Sequence, residues 1–411
     1  MILFVNARIF DGTGAAPFAG EVLVKDNRIA EVARADGVPL SRDNVMVVDG
    51  TGTTLMPGMT EAHAHLSWPS SVERFVPGMS LPPEDLLLNT ARNARILLDH
   101  GFTSAYSAGA LGKTLEMSLK AQIDSGGMPG PRLVPSSLER EPPNENAYLA
   151  GGSVADHGKG PDAVRAFIKD CAANGAKIVK FLLSGESALK PGASMQILYT
   201  EEEVRAAGEQ ALESKVWLTG HAHAAEAIKM GLRNGFRVLY HCTYADEEAI
   251  DMLVARRHEI FVGPTLGIVQ ATLDATPPPQ FDMSHMKADA AVVLERQQKL
   301  GPILKKAGVR LVPGGDYGFP FNPNGRNARD LELFVRYLGF TPTDALVAAT
   351  KLGGEIMGME SELGQIKTGY LADLLLVSGD PTQNIAILQS KDNLRAIMKE
   401  GKFHKAPVSA S

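Results

Sequence analysis

Two histidine pairs stand out in this chain, His63-Ala64-His65 and His221-Ala222-His223. Residues two apart on a β-strand project from the same face, so each pair can bring two imidazoles to one metal ion. Other residues of metal-binding type are spread more widely: Lys180, His241 and the aspartate of Gly314-Gly315-Asp316. Taken singly, each has a blander reading. A lone His-X-His is weak evidence, a strand-end lysine can simply extend towards solvent, and Asp316 could cap a following helix. Taken together they say more, because each closes a short apolar run. Metal-type side chains at the ends of five such runs are a pattern that packing alone does not ask for.

The elements that would position them are legible from the changes of period. Eight short apolar runs read as strands: 55–65, 103–108, 132–137, 177–183, 216–222, 237–242, 259–265 and 310–316. Helical patterns lie between them, at 82–100, 161–174, 200–213 and 288–307, and Thr200 followed by Glu201-Glu202-Glu203 has the form of an N-cap with an acidic first turn. Eight strand–helix units predict an α/β chain of the (β/α)8 TIM-barrel type, whose catalytic mouth is built from the C-terminal ends of its strands. No glycine-rich dinucleotide fingerprint follows the first strand to favour an open sheet. Both termini are rich in strand and turn signals. The expected organisation is therefore a small β-sandwich made from residues 1–57 and 359–411 around a barrel at 58–358.

The bulk properties exclude several classes. The chain has 411 residues, 44% hydrophobic and 21% charged, with a net charge of −6. Charges of both signs are scattered, leaving no basic stripe for nucleic acid and no polybasic anchor for a membrane. No apolar run approaches a bilayer span. The N-terminus shows neither the charged region nor the long apolar stretch of a secretory leader, which predicts a cytoplasmic location, although a chain trimmed of its leader would read alike. Cys171 and Cys242 are the two cysteines, too few for a disulfide framework, and are expected to be buried apolar groups.

Over nearly its whole length the sequence resembles the amidohydrolase superfamily. The matching pieces are Met56-Pro57-Gly58 leading into His63-Ala64-His65, Gly175 to Lys180, His221 to Glu226, His241, Gly314-Gly315-Asp316, and Gly369-Tyr370-Leu371-Ala372-Asp373. Two departures are Glu61, where aspartate is usual, and Gly314-Gly315-Asp316-Tyr317, where Gly-Thr-Asp-Ala is commoner. The resemblance is closest to the branch hydrolysing N-acyl amino acids and dipeptides, including prolidase-like and ochratoxin-degrading members.

It implies two divalent ions, zinc foremost. His63, His65 and Asp316 would hold the buried ion, and His221 and His241 the more exposed one, with Lys180, carboxylated on its amine, bridging them. Strand phase does not choose between His221 and His223; the resemblance selects His221 and leaves His223 either to support a ligand from behind or to face substrate. It also implies cleavage of an amide by a metal-bridging hydroxide, with Asp316 as the catalytic base, and a homo-oligomer, octamers included. Lys177, out of phase with Lys180, is expected to be structural.

The substrate is expected to meet loops after the third and eighth strands. Glu139, Arg140 and Tyr148 lie in the first, and Tyr317, Phe319, Phe321 and Arg326 in the second. Arg140 and Tyr317 are the expected contacts for a carboxylate and an aromatic side chain, with ordinary loop packing an equal reading. The Pro-rich stretch 276–279 is expected to border the same mouth. His100, His157, His258, His285 and His404 are expected to be structural or exposed. Competing readings are a cyclic amide, cyclic imine or ester hydrolase of the same superfamily, and a non-catalytic scaffold, which would bind no metal.

Overall fold

The computed structural model describes residues 1–70, 81–141, 158–188, 190–277, 279 and 282–407. Five strands come first: β1 (Ile2–Ile9), β2 (Phe18–Lys25), β3 (Arg28–Arg34), β4 (Met46–Asp49) and β5 (Thr53–Pro57). Eight more follow at the positions expected for the central unit. They are β6 (Met59–Ala64), β7 (Phe102–Ser107), β8 (Arg132–Val134), β9 (Ile178–Leu182), β10 (Trp217–Ala224), β11 (Val238–Tyr244), β12 (Phe261–Gly263) and β13 (Arg310–Leu311). The chain closes with β14 (Leu374–Ser378), β15 (Leu394–Lys399) and β16 (Lys402–Lys405).

Strands β6 to β8 form one parallel sheet and β9 to β13 another. Parallel bridges span both gaps between them. Ser136 pairs with Ile178 and Arg140 with Phe181 on one side, and Ala64 pairs with Tyr317 on the other. The backbone follows suit: Arg140 N donates to Lys180 O at 2.8 Å, and Ala62 N to Pro313 O at 3.2 Å. The architecture is mixed α/β of the TIM-barrel type, with helices packed outside the parallel strands.

Those helices form for local reasons. The helix Glu201–Ser214 starts with a full capping box, Thr200 accepting from Glu203 N while Glu203 reaches back to Thr200 N. Glu203 also accepts from Gly160 N, tying this start to that of the helix Pro161–Ala173. That second helix buries Val164, Phe167, Ile168 and Cys171, the three-and-four spacing of one helical face. Phe167 and Phe236 meet Phe181 of β9 edge to face, at 6.3 and 5.9 Å between ring centres. Cys171 and Cys242 are buried and free, and burial pushes both thiols up to about 12.

One expectation needs correction. The run 55–65 is not one strand, because it breaks at Gly58 into β5, which joins the terminal sheet, and β6, which joins the parallel one. At Gly58 a Cβ would lie 2.1 Å from Thr103 Oγ1, so only glycine lets the backbone pass from one sheet to the other. The two termini build a single connected sheet, ordered β16-β15-β14-β5-β1-β2-β3 with β4 also on β1, and it curves so that Phe403 of β16 meets Phe4 of β1 at 6.3 Å between ring centres. Phe4, Val22, Leu55, Leu374 and Met398 belong to its apolar core. Arg132 of β8 pairs with Asp373 at 2.6 Å and Glu400 at 2.8 Å, binding this sheet to the parallel one.

At the N-terminal end of the parallel strands, Lys177 donates to Lys215 O at 2.7 Å and lies 4.8 Å from the centre of the Trp217 ring. Arg237 covers the same ring at 4.4 Å. Lys177 is structural here, as expected.

Candidate metal centre

The opposite ends of the strands gather the histidines. Strand β6 delivers His63 and, one residue past its end, His65; Asp316 arrives from beyond β13. His65 Nε2 lies 3.0 Å and His63 Nε2 3.8 Å from Asp316 Oδ1. Strand β10 carries His221 and His223, and β11 carries His241. In each of the two triads, His63/His65/Asp316 and His221/His223/His241, one donor atom per residue lies within 4.8 Å of the others. Lys180, on β9 between them, donates to Ala108 O at 3.1 Å and sits 4.7 Å over the Tyr240 ring, which stacks on His63 at 3.6 Å.

Backbone geometry at these ends is unusual. His241, Cys242 and Asp316 have φ of 70°, 53° and 59°, a left-handed conformation that costs non-glycine residues about 1–3 kcal/mol each. Surrounding contacts hold it in place. Asn322 Nδ2 donates to Gly315 O at 2.7 Å and Asp316 O at 3.0 Å, and Gln297 donates to His241 O. Beneath His63, the buried Glu61 accepts from His63 N at 3.0 Å and from Asn327 Nδ2 at 2.7 Å. Glu61 thus orients the strand end and does not face the cleft; burial pushes its carboxyl up to about 8.

The electrostatics suit cations. Burial first, and the neighbouring charges of Lys180 and other histidines after it, depress His63 and His241 well below the usual imidazole range and bring His221 down to about 3. Neutral imidazole is the form that ligates metal. Burial likewise lowers Lys180, against the opposing pull of Glu139 and Asp316. His241 Nε2 and Asp316 Oδ1 are buried without a hydrogen-bond partner; the 3.0 Å approach of His65 to that oxygen is not in hydrogen-bonding geometry. Such an unpaired buried atom costs about 1–3 kcal/mol, a cost that a coordinated cation removes. The donors present therefore fit divalent ions of the zinc type.

His223 differs from His241. Its Nδ1 meets Thr243 Oγ1 at 2.9 Å and its Nε2 meets Glu186 Oε2 at 3.1 Å, so both ring nitrogens are engaged. It lines the cleft beside the triad it belongs to.

The cleft holds about 910 Å³ of empty space, open at its mouth. Its apolar wall comes from the helices Leu266–Asp274 and Ser284–Lys306, which contribute Ile268, Val269, Met286 and Val293, with Trp68 and Phe319 opposite. Three carboxylates beyond Asp316 also line it: Glu139, Glu186 and Asp289.

Arg140 and Tyr317, expected as substrate contacts, do not line this cleft. Arg140 is 1% exposed, packed 5.4–5.9 Å from the ring centres of Tyr199, Phe167 and Phe181, and donates to Gly158 O. It follows the third strand as expected, but backbone pairing with β9 turns its side chain outward into the helix layer. Tyr317 is fully buried, one residue past Asp316 and against Gly315 and Gly267. Phe319 reaches the cleft, whereas Arg326 is exposed outside it. Tyr148, His157 and Pro278 of the 276–279 stretch lie outside the described residues. His404 pairs with Asp99 at 2.6 Å and His285 with Ser187 O at 2.5 Å, while His258 is exposed.

Sequence reasoning missed Glu186 and Asp289. Glu186 sits in a loop with no motif around it. Asp289 carried a signal, since it falls within the helical spacing of Met286, Ala290 and Val293, a stripe that faces the cleft.

Parallel strands of this topology, with clustered ligand-type side chains at one set of ends, define a hydrolase centre of the metal-dependent kind. The amidohydrolase family model matches residues 54–403, and the chain belongs to that family, a hydrolase acting on amide bonds. Among curated proteins it is 24% identical to the ochratoxinase of Aspergillus niger over 376 residues, 86% of this chain and 76% of that one. A solved Xaa-Pro dipeptidase with methionine in its active site superposes with a TM-score of 0.85 at 23% identity, covering 98% of this chain and 100% of the other. The A. niger ochratoxinase structure gives 0.83 at 22% identity, covering 98% and 95%. No helix among the described residues is long and apolar enough to cross a membrane.

Proposed function

We propose that the chain hydrolyses the amide bond of an N-acyl amino acid or dipeptide bearing a bulky apolar group. The observation that carries this is the meeting of two ligand triads and a buried lysine at the head of an apolar cleft. His63, His65 and Asp316 would hold one zinc ion, and His221 and His241 the other. Lys180, whose ammonium form is disfavoured by burial, would add through its amine nitrogen to carbon dioxide with loss of a proton, and its carboxylate would then bridge the pair. Bound divalent ions supply an acidified water and polarise a carbonyl. Asp316 takes a proton from the attacking water and passes it to the departing amine. Ile268, Val269, Met286 and Phe319 bury the apolar part of the substrate and exclude water from it. The ochratoxinase and dipeptidase likenesses support this substrate class.

The same reading takes the eight parallel strands as one closed (β/α)8 ring at 58–358, supported by the bridges at both gaps. The terminal sheet is then a small unit of its own, made from 1–57 and 359–411.

The test is mass-spectrometric product analysis of zinc-loaded protein given ochratoxin A, N-acetyl-phenylalanine and alanyl-proline. Release of the amino acid from at least one of them, absent in Lys180→Ala, is expected. No cleavage of any, with metal shown to be bound, overturns the reading and moves the assignment to cyclic amides or esters.

A further inference from the structure

The proposed function covers two substrate types that differ in one group. A dipeptide carries a free ammonium beside its scissile carbonyl, and an N-acyl amino acid does not. The cleft lining bears on which of them fits.

Among the described lining residues, Lys180 is the one lysine or arginine, and it belongs to the metal-ligand set. Arg140, the expected carboxylate partner, is turned away into the Phe167–Phe181–Tyr199 cage. Against this stand Glu139, Glu186 and Asp289, three carboxylates in the same lining. Glu139 is 7% exposed and stands at the metal end, its Oε1 3.6 Å from His65 Nδ1. Glu186 is fixed in place: Ala188 N donates to its Oε1 at 2.9 Å, and His223 Nε2 lies 3.1 Å from its Oε2. Asp289 projects from the helix Ser284–Lys306 within the stripe of Met286, Ala290 and Val293, on the apolar side of the cleft. Burial, and after it the charge of Glu186, raises the Asp289 carboxyl from its ordinary range. Glu186 already has His223 as its partner, so Asp289 is the carboxyl of the two on which a substrate cation would act.

We infer that the acidic wall formed by Asp289 and Glu186 receives a substrate ammonium group, which makes unblocked dipeptides and related aminoacyl amides the preferred substrates over N-acyl amino acids. This rests on the amide-hydrolase reading above. The wall acts on binding and orientation. Asp289 and Glu186 hold the charged end, so the carbonyl beside it is presented to the ligand triads, and the bulky apolar part lies along Ile268 and Val293. Glu186 reaches towards the second triad, within 3.9 Å of His221, so Asp289 is the cleaner position to probe.

The experiment uses zinc-loaded full-length protein and two substrates of matched shape, alanyl-phenylalanine and propionyl-phenylalanine, which differ by the ammonium alone. At pH 7 the dipeptide is expected to have a kcat/KM about tenfold or more higher, as a polar partner in a half-open site provides. Asp289→Asn is expected to bring that ratio towards one, chiefly through KM of the dipeptide, and Asp289→Glu to restore it. Equal or faster cleavage of propionyl-phenylalanine overturns the inference while leaving amide hydrolysis standing. So does a ratio that Asp289→Asn leaves intact. Cleavage of neither substrate, with metal bound, overturns the amide-hydrolase reading and the inference with it.

Discussion

Lys177 and Lys180 are three residues apart on one stretch of chain and meet opposite ends of the parallel strands. Lys177, partly exposed, has a carbonyl acceptor at Lys215 and an aromatic face at Trp217. Lys180, 2% exposed, lies over Tyr240 among histidines and carboxylates, and its ammonium is disfavoured by burial. The residue type is the same and the chemistry is not. At the lower end Lys177 has partners that settle its charge; at the upper end His241 Nε2 and Asp316 Oδ1 are buried with no hydrogen-bond partner. The upper end has kept its polar atoms for something that the fold alone does not provide.

That contrast can be broken or sharpened. The largest effect is expected at Asp316: Asp316→Asn should lower kcat for amide hydrolysis by about 10²–10⁴-fold with a much smaller change in KM. Near-normal turnover in steady-state kinetics would remove Asp316 from the proton path. Lys180→Ala should cost about a hundredfold or more in rate and lower the metal-to-chain ratio read by elemental analysis. Full zinc content in that variant would contradict a bridging lysine. Chelation should abolish activity and lower Tm by several degrees, with zinc restoring both, because an ion bound only to the folded state stabilises it by mass action. An unchanged Tm would mean that no ion was held there.

A pH-dependent contrast comes next in size. Glu116 is fully buried, accepts from Ser136 N, and burial raises its carboxyl to about 8. A carboxyl raised on folding contributes stability below its unfolded value near 4.5, and that contribution is lost as pH rises towards 8. The Tm advantage of Glu116→Gln over the natural chain should therefore grow between pH 5 and pH 9. A constant difference would show that the carboxyl titrates normally. The smallest effect belongs to Lys177→Met, which should leave kcat within about twofold and stability within about 1 kcal/mol. A loss of activity there would erase the distinction between the two lysines.

Much of this is legible in the sequence. The eight parallel strands were readable because each is a short apolar run ended by glycine or a polar group, and the capping box at Thr200 and Glu203 was written in adjacent residues. The histidines and Asp316 were readable because strand-end position and residue type agreed. What could not be read depended on contacts made across the fold. The break at Gly58 comes from the nearness of Thr103, 45 positions away in sequence, which no local pattern carries. Arg140 was assigned to the mouth because it follows the third strand, yet pairing with β9 turned it into the helix layer. Glu186 faces the cleft through its contact with His223, which only the fold brings near.

The pairing of β5 with β14 has a consequence for how the chain is made. Thr53–Pro57 finds its antiparallel partner at Leu374–Ser378, more than 300 residues later. At a synthesis rate of about 5–20 residues per second, that strand edge waits roughly 15–60 s before its partner leaves the ribosome. Through that interval an apolar edge holding Leu55 and Met56 is open to other strands. Slower translation over the central segment, or growth at higher temperature, should cost soluble yield before it touches the finished enzyme, and a chain cut short before Leu374 should aggregate although every ligand residue has already been made.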